Sequence, residues 1–336
     1  MNNNIDSLGV GTALQLFPDQ IRESFKQALS ANITRIHPGV VIISGMGGSS
    51  NAAKIVKGLY ESELKIPFEV FNDYGLPAWA NSETLVIANS YSGNTEETLS
   101  AIEAARKIGA KVIGVTTGGT IAEMIKAGEI QGAIVTEGNT NPTHFPKTGL
   151  GISFGALAGV LSKIGILDVT EDELNSALLE LQTIKDGWDV KNTASWINGG
   201  VPVLLGARPL MGAINAGRNA MCEISRNFTQ YYDFPELDHV LVEALGKPES
   251  VLTNKYLFFI SKFNNPRVIT RYKVTAKIFK EQNLSFSHYA LKGSTKLTQS
   301  LELPFYCATM AYELSLLQNT DPGPEPWIIK LKESLS

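Results

Sequence analysis

Short apolar runs alternate with longer amphipathic segments through the first half of the chain. The runs predict strands at residues 40–44, 68–71, 85–89, 111–115 and 132–136. The segments between them have helical character at residues 49–60, 95–108 and 121–127. Continuous apolar strands separated by helices are typical of a parallel sheet that helices cover on both faces. The first half is therefore predicted to be an α/β domain.

The second half repeats this outline. It predicts strands at residues 201–205, 256–260 and 285–289, and helices at residues 211–227, 266–282 and 297–317. A polar amphipathic stretch at residues 170–189, with Thr170 at its start, predicts a helix that connects the two halves. We therefore predict two doubly wound domains, each a mostly parallel sheet flanked by helices, at residues 1–168 and 193–336 with a linker helix at 169–192.

Two further segments bear on the class of protein. The most apolar stretch, residues 151–167, is interrupted by Ser153, Ser162 and Lys163, so it predicts a buried helix and not a membrane span. The first 35 residues are predicted to pack on the fold. Their sequence begins MNNNIDSLGVGTAL and has no basic stretch followed by an apolar one, so we expect no signal peptide.

Composition and charge narrow the class of partner. Hydrophobic residues make up 43% and charged residues 18% of the chain, as in an ordinary globular protein. The net charge of -4, with no run of Lys and Arg, argues against a nucleic-acid partner. Two distant cysteines, Cys222 and Cys307, without a CxxC pair fit a reducing compartment. We therefore expect a cytoplasmic protein with no membrane partner.

The segment SYSGNT at residues 90–95 lies between a predicted strand and the predicted helix that follows it. Ligands bind beyond the carboxyl ends of the strands in such sheets, and a helix N-terminus offers backbone N–H groups to an anion. Ser90, Ser92 and Thr95 add hydroxyl donors, and Gly93 lets the backbone approach closely. The alternative is that Thr95 only caps the helix and that the two serines form turns. With strand, glycine and helix in register, the pattern favours a phosphate-binding loop.

The sequence NSYSGNTEET, preceded by LVIA, resembles the signature loop of the SIS (sugar isomerase) domain family. The turn SGMGGSSNAAK at residues 44–54 resembles the first loop of that domain, which contacts the sugar. From about residue 40 onward the chain is similar to the bifunctional phosphoglucose/phosphomannose isomerases, which are built from two SIS domains. CEISR at residues 222–226 occupies the place of the family's N-E-N-S-K, and PELDH at residues 235–239 matches its P-E-L-N-H.

This resemblance implies an aldose–ketose isomerase that acts on glucose 6-phosphate, with mannose 6-phosphate as a second candidate substrate. It implies that Glu223 is the base at C1 and C2, that His239 opens the sugar ring and that Lys332 assists near the ring oxygen. The implied ligands of the phosphate and of nearby hydroxyl groups are Gly47, Gly48, Ser49, Ser90, Ser92, Thr95 and Lys147. It further implies a homodimer in which His239 reaches the neighbouring subunit's site, and chemistry without a metal or other cofactor.

Three segments of the chain depart from the family pattern in ways that bear on the substrate. Lys147 stands where the family has Arg, Gly323 where it has Thr, and Val240-Leu241 where it has Asn-Glu. Because a lysine cannot form the two-pronged contact of an arginine, these changes can alter the choice of substrate. Two other functions stay open at this point. One is a phosphosugar-binding regulator, which has no need of a base at Glu223, and the other is a relative that acts on an amino sugar phosphate.

Overall fold

Five parallel strands form the first sheet of the computed structural model, which describes residues 5–335; the initial MNNN and Ser336 lie outside these residues. The strands are β1 Val40–Ser44, β2 Phe68–Phe71, β3 Thr84–Ser90, β4 Lys111–Thr116 and β5 Gln131–Ile134. Their order is β2-β1-β3-β4-β5, and every pairing is parallel. Strand β3 is buried along its whole length, as expected of an apolar strand in the middle of such a sheet.

Four parallel strands form the second sheet. They are β6 Val201–Ala207, β7 Gln230–Phe234, β8 Asn254–Ile260 and β9 Ser285–Ala290. Their order is β7-β6-β8-β9, so each sheet reverses its strand order next to its first strand. The predicted fold class, α/β with two doubly wound parallel sheets, is confirmed.

Helices cover both sheets. In chain order they are α1 Val10–Gln15, α2 Phe17–Ser30, α3 Gly47–Tyr60, α4 Glu96–Lys107, α5 Gly119–Lys126, α6 Leu150–Lys163, α7 Glu171–Lys185, α8 Val190–Ile197, α9 Met211–Glu223, α10 Leu237–Val240, α11 Pro266–Glu281, α12 Lys296–Leu317 and α13 Pro326–Leu335. Short 3₁₀ turns occupy Pro146–Thr148, Leu241–Ala244 and Glu249–Thr253. No helix among residues 5–335 is both long and apolar enough to cross a membrane.

One apolar core extends from the first sheet to the second through the helices between them. Helix α3 of the first half crosses α9 of the second, and a side chain at Gly212 would lie 2.0 Å from the carbonyl oxygen of Lys54. Helix α6 packs on α2 just as closely, since a side chain at Gly155 would lie 2.3 Å from the carbonyl oxygen of Ile21. Helices α1 and α2, which span residues 10–30, therefore pack on the fold as predicted for the N-terminal segment, and α6 is the expected buried helix.

Some elements differ from their predicted bounds. The helix predicted to end at residue 227 ends at Glu223, because Arg226 adopts a left-handed backbone conformation with φ 53°. The connecting region holds two helices, α7 and α8, and Thr170 caps α7 by accepting a hydrogen bond from the backbone N–H of Glu173. Strand β7 has no counterpart in the predictions, because its sequence QYYDF is polar and mostly exposed at the edge of the sheet.

Candidate active site

The segment at residues 90–95, the hydroxyl loop, connects β3 to α4 at the carboxyl edge of the first sheet. Strands β1 and β3 are neighbours, so the turn after β1 lies beside the hydroxyl loop. The strand order reverses at this point, since the chain proceeds from β1 outward to β2 and then back to β3. Open α/β sheets bind their ligands at such a reversal.

The hydroxyl loop leaves the N-terminus of α4 available to a ligand. The hydroxyl of Thr95 lies 2.8 Å from that of Ser90, and no side chain of the described residues caps the helix. The backbone N–H groups of Glu96, Glu97 and Thr98 take no acceptor within residues 5–335. Thr95 therefore does not act as a capping side chain, and three donors with the positive end of the helix dipole remain for an anion.

Gly93 allows the hydroxyl loop to pack against the loop that follows β4. Its φ is +71°, and a Cβ at this position would lie only 1.8 Å from the carbonyl oxygen of Gly118. Its backbone N–H donates to Ser90 Oγ at 3.1 Å. Ser92, by contrast, is exposed, and its hydroxyl accepts from the backbone N–H of Asn94 at 3.3 Å. The loop is therefore held in one conformation with a hydroxyl facing outward.

The turn after β1 is joined to the hydroxyl loop through Ser49. This buried serine accepts a hydrogen bond from the backbone N–H of Tyr91 at 3.0 Å, and its carbonyl oxygen accepts from Asn89 Nδ2 at 2.9 Å. Gly47, with φ +51°, and Gly48 form the first residues of α3. The structure thus brings together Gly47, Gly48, Ser49 and the three hydroxyl residues of the loop.

A partly buried polar network supports the hydroxyl loop from its other side, and the sequence analysis missed it. Tyr91 donates to Glu137 Oε1 at 2.6 Å and accepts from Asn141 Nδ2 at 2.7 Å. His144 Nδ1 lies 2.7 Å from the other oxygen of the same carboxylate. Burial and the hydrogen bond to Glu137 raise the pKa of Tyr91, so the phenol stays a donor. In the sequence, Tyr91 within the hydroxyl loop is the one residue that could have indicated this network.

Glu223 is the last residue of α9 and lines a small cavity between α9, α3 and the turn that carries Lys147. Burial, and then the negative charge of Glu325, raise the pKa of Glu223 to about 7, while Lys147 and Arg218 act in the opposite direction. A carboxyl group with this pKa is present both as acid and as carboxylate near neutral pH. Gly48 lines the same cavity, so the carboxyl group lies next to the turn after β1.

Lys147 lies beside Glu223 at this cavity and makes none of its hydrogen bonds to the hydroxyl loop among the described residues. Its ammonium group donates to the carbonyl oxygens of Pro322 and Gly323 at 2.8 and 2.7 Å, and lies 3.6 Å from Glu325 Oε1. Burial lowers the pKa of Lys147, although Glu325 and Glu223 partly oppose this effect. Lys147 therefore belongs to the carboxylate side of the site.

Residues 321–325, the C-terminal strap, pass over this part of the molecule. Besides Lys147, Arg226 holds the strap by donating to the carbonyl oxygens of Asp321 and Pro324 at 3.0 and 2.7 Å. A side chain at Gly323 would lie 2.8 Å from Leu8 Cγ. Leu8 thus fills the space that a larger residue at this position would occupy.

His239 and Lys332 lie apart from the residues described so far. His239 is exposed on α10, while its neighbour Asp238 is bound to Arg271 at 3.0 Å and to Thr275 at 2.7 Å. Lys332 is exposed on α13. Neither residue is among those that line the Glu223 cavity in the described part of the chain.

Three asparagines that the sequence analysis did not single out form a hydrogen-bonded group at the Glu223 cavity or directly behind it. Asn51 Oδ1 accepts from Asn215 Nδ2 at 2.6 Å and from Asn219 Nδ2 at 3.0 Å. Asn51 and Asn219 line the Glu223 cavity. Asn219 lies one helical turn before Glu223 on α9, a spacing that could have drawn attention to it, but its pairing with Asn51 exists only in the folded chain.

Comparison with family models divides the chain in two. The SIS domain matches residues 36–126, and the bacterial phospho-glucose isomerase C-terminal SIS domain matches residues 189–335. The hydroxyl loop falls in the first matched region and Glu223 in the second, while Lys147 lies between the two.

Several known proteins are similar along most of their length. A bifunctional phosphoglucose/phosphomannose isomerase from Thermoplasma volcanium is 30% identical over 298 residues, which cover 88% of this chain and 91% of that protein. One from Caldicellulosiruptor bescii is 27% identical over 332 residues, covering 95% and 96%. The solved structure of tagatose-6-phosphate ketose/aldose isomerase from Escherichia coli superposes with a TM-score of 0.70 at 16% identity and covers 96% of this chain and 98% of that one. This last likeness concerns the fold.

Proposed function

The chain belongs to the bifunctional phosphoglucose/phosphomannose isomerase family, and we propose that it interconverts glucose 6-phosphate and fructose 6-phosphate by proton transfer through an enediol. The observation that carries this proposal is the Glu223 carboxyl group, whose pKa is raised to about 7 in a cavity beside the turn after β1. A phosphosugar-binding regulator would not need such a group, so the isomerase is the better reading of this site.

The phosphate is bound at the hydroxyl loop in this proposal. The free N–H groups at the start of α4 and the hydroxyls of Ser90, Ser92 and Thr95 supply the donors. Gly47, Gly48 and Ser49 form the adjoining wall and lead from the phosphate towards Glu223. Lys147 binds at the sugar end of the site, since its ammonium group shares the cavity with the carboxyl group.

Glu223 moves the proton between C1 and C2. In the open-chain aldose its carboxylate removes the proton from C2, and the C1 carbonyl oxygen takes up a proton from solvent as an enediol forms. The carboxylic acid then gives its proton to C1, while the hydroxyl at O2 releases its proton to solvent and O2 becomes the ketone oxygen. A base with a pKa near the working pH is suited to both halves of this cycle.

Ring opening is assigned to His239 of a partner subunit and to Lys332. Because His239 is exposed and does not line the Glu223 cavity of its own chain, its contribution requires a second copy of the protein. Val240, the next residue of the chain, is 59% exposed, which supports burial of this surface in a homodimer. The two free cysteines, Cys222 and Cys307, support action in the cytoplasm.

Mannose 6-phosphate is a second substrate in this proposal. It differs from glucose 6-phosphate only in the configuration at C2. The same carboxylate can therefore remove its C2 proton if the open-chain sugar rotates in the site. Gly323 is not among the described residues that line the Glu223 cavity, so the distinction between the two epimers falls to other residues. Turnover of the two aldose phosphates, compared under equal conditions, measures this preference.

The proposed function is tested by a coupled assay of fructose 6-phosphate conversion to glucose 6-phosphate in the presence of EDTA. We expect the wild type to turn over and Glu223→Gln to lose activity by about a hundredfold or more. Glu103→Gln, an exposed position on α4, is the matched control and should retain full activity. Absence of turnover in the wild type, with phosphosugar binding intact, would favour a regulator or a different sugar phosphate.

A further inference from the structure

Asn51 presents an unpaired donor to the cavity that holds Glu223. Its side chain is buried, with 6% of the residue exposed, and it lies one helical turn beyond Gly48 on α3. Its carbonyl oxygen accepts two hydrogen bonds, from Asn215 and from Asn219. Its amide nitrogen Nδ2 takes no acceptor from residues 5–335, although the residue lines the cavity. Nδ2 is not sealed inside the protein, so a ligand or solvent in the cavity can supply the acceptor that the described residues do not.

The orientation of this amide follows from the residues behind it. Arg218 has donors only, and its Nη2 donates to Asn215 Oδ1 at 3.3 Å. The oxygen of Asn215 therefore faces Arg218, and its Nδ2 faces Asn51. Asn51 must then turn its oxygen towards Asn215 and its nitrogen towards the cavity. Because each amide has one donor side and one acceptor side, the arginine fixes the direction of the whole chain of hydrogen bonds.

We propose that Asn51 Nδ2 donates a hydrogen bond to the carbonyl oxygen of the open-chain sugar and stabilises the negative charge that develops there, with Asn215 and Arg218 as positioning residues. This inference rests on the proposed function, in which Glu223 removes a proton from the carbon next to that carbonyl. Among the oxygens on C1 to C5 of the open-chain sugar, the carbonyl oxygen is the one that can only accept a hydrogen bond, so it complements a group that can only donate. Fixed donors aimed at such an oxygen act mainly on the transition state.

Two ligands distinguish this role from a general effect on the cavity. Arabinonate 5-phosphate carries a planar carboxylate in the place of the enediol oxygens. Sorbitol 6-phosphate is a linear polyol phosphate that has the same phosphate group but no carbonyl or carboxylate. If Asn51 serves the reacting oxygen, its removal weakens binding of the first ligand and leaves the second unchanged. Both affinities can be measured by calorimetry without turnover, so the inference can be judged even if fructose 6-phosphate is not the substrate.

The experiment compares Asn51→Leu and Asn215→Asp with the wild type. Asn51→Leu removes the donor without adding charge, and we expect kcat for fructose 6-phosphate to fall about a hundredfold with little change in KM. Asn215→Asp lies outside the cavity, and the carboxylate is neutralised by Arg218. The carboxylate of Asn215→Asp can only accept hydrogen bonds, so it draws Asn51 Nδ2 towards itself and turns Asn51 Oδ1 towards the cavity. We therefore expect a loss of kcat of about tenfold or more.

Binding and stability complete the test. We expect both variants to bind arabinonate 5-phosphate at least about tenfold more weakly and sorbitol 6-phosphate as well as the wild type does. Asn175→Asp, which adds a charge beside Arg22 away from the site, is the control and should change neither affinity. Equal weakening of both ligands in Asn51→Leu, or an unchanged affinity for arabinonate 5-phosphate in Asn215→Asp, would overturn the proposal. An unfolding midpoint close to that of the wild type confirms that each variant is folded.

Discussion

The two halves of the molecule have a loop at the same place in their sheets, but the two loops differ in how the first N–H groups of the following helix are hydrogen-bonded. The hydroxyl loop follows β3, and residues 261–265, the second loop, follow β8; each lies beside the first strand of its own sheet. In the hydroxyl loop the first N–H groups of α4 take no acceptor within the described chain. In the second loop Asn265 caps α11: its side chain accepts from the N–H of Arg267 at 2.8 Å, and its carbonyl oxygen accepts from Val268 at 2.8 Å.

The second loop also uses its remaining polar groups internally. Ser261 donates to Gln299, and Asn264 accepts from the N–H of Ser261 and donates to the carbonyl oxygen of Arg208. Pro266, the first residue of α11, has no N–H to offer. The comparison shows that this fold does not by itself make an anion site. The helix N-terminus must be left uncapped, and hydroxyl groups must remain free to point at the ligand.

The largest effect is expected where the hydroxyl loop has no room for a side chain. Gly93→Ala places a methyl group against the carbonyl oxygen of Gly118 at a positive φ, so it should cost about 2–4 kcal/mol of unfolding free energy and abolish phosphosugar binding. Gly109→Ala is the matched control, with the same φ of +71° but its nearest neighbour 3.9 Å away. It should cost about 1 kcal/mol and leave binding intact. Equal losses of stability in urea denaturation would contradict the packing argument.

Thr95→Asp should make the hydroxyl loop resemble the second loop. The new carboxylate can cap α4 and occupy the N–H groups that we assign to the phosphate, while its charge repels the ligand. We expect the affinity for glucose 6-phosphate to fall about a hundredfold and the unfolding free energy to rise by up to about 1 kcal/mol. Thr95→Ser retains the hydroxyl and serves as the control in both measurements. Phosphosugar affinity that survives in Thr95→Asp would place the phosphate elsewhere.

A pair of serine substitutions compares the two loops directly. Ser90→Ala removes a hydroxyl that accepts from the N–H of Gly93 and pairs with the hydroxyl of Thr95 at the start of α4, so binding of glucose 6-phosphate should weaken about tenfold. Ser261→Ala removes the equivalent serine of the second loop, whose hydroxyl is bound to Gln299. It should lower stability but leave the affinity measured by calorimetry unchanged. A loss of affinity in Ser261→Ala of the same size would show that the second loop also serves the ligand.

The smallest expected effect is a shift in pH dependence. The active form of Glu223 is the carboxylate, so kcat/KM should be low in acid and rise with pH through about 7. Glu325 raises the pKa of Glu223 through its charge, so Glu325→Gln should move this midpoint to lower pH by up to about one unit. Glu103→Gln should leave the midpoint in place. A shift to higher pH in Glu325→Gln would contradict the assigned charge effect.

The strands of the first sheet were predictable because a strand buried on both faces appears in the sequence as a continuous apolar run. The strands at 40–44 and 68–71 have the bounds that the apolar runs predict, and β3 differs by one residue at each end. The edge strand β7 was not predicted, because its exposed tyrosines and aspartate do not form a continuous apolar run. The early end of α9 was not predicted either, because it depends on the left-handed backbone conformation of Arg226. The side chain of Arg226 binds the C-terminal strap.

The candidate site was predictable only in part. A loop of hydroxyl residues between an apolar strand and a helix is visible as a local pattern, and Glu223 was reached through the family resemblance. The supporting groups, Tyr91 with Glu137 and Asn51 with Asn215, are pairs whose members lie tens of residues or more apart. Such pairs exist only after folding, and ordinary asparagines and glutamates give no signal of them. The roles of His239 and Lys332 and the domain boundaries stay predictions.

Proton exchange in D₂O shows whether Glu223 carries the proton between C1 and C2. Fructose 6-phosphate is incubated with the wild type and with Glu223→Gln, and deuterium at C2 of the glucose 6-phosphate formed and at C1 of the remaining ketose is followed by NMR. We predict deuterium at both carbons with the wild type and a rate lower by about a hundredfold or more with Glu223→Gln. Exchange by Glu223→Gln at the wild-type rate would contradict the account.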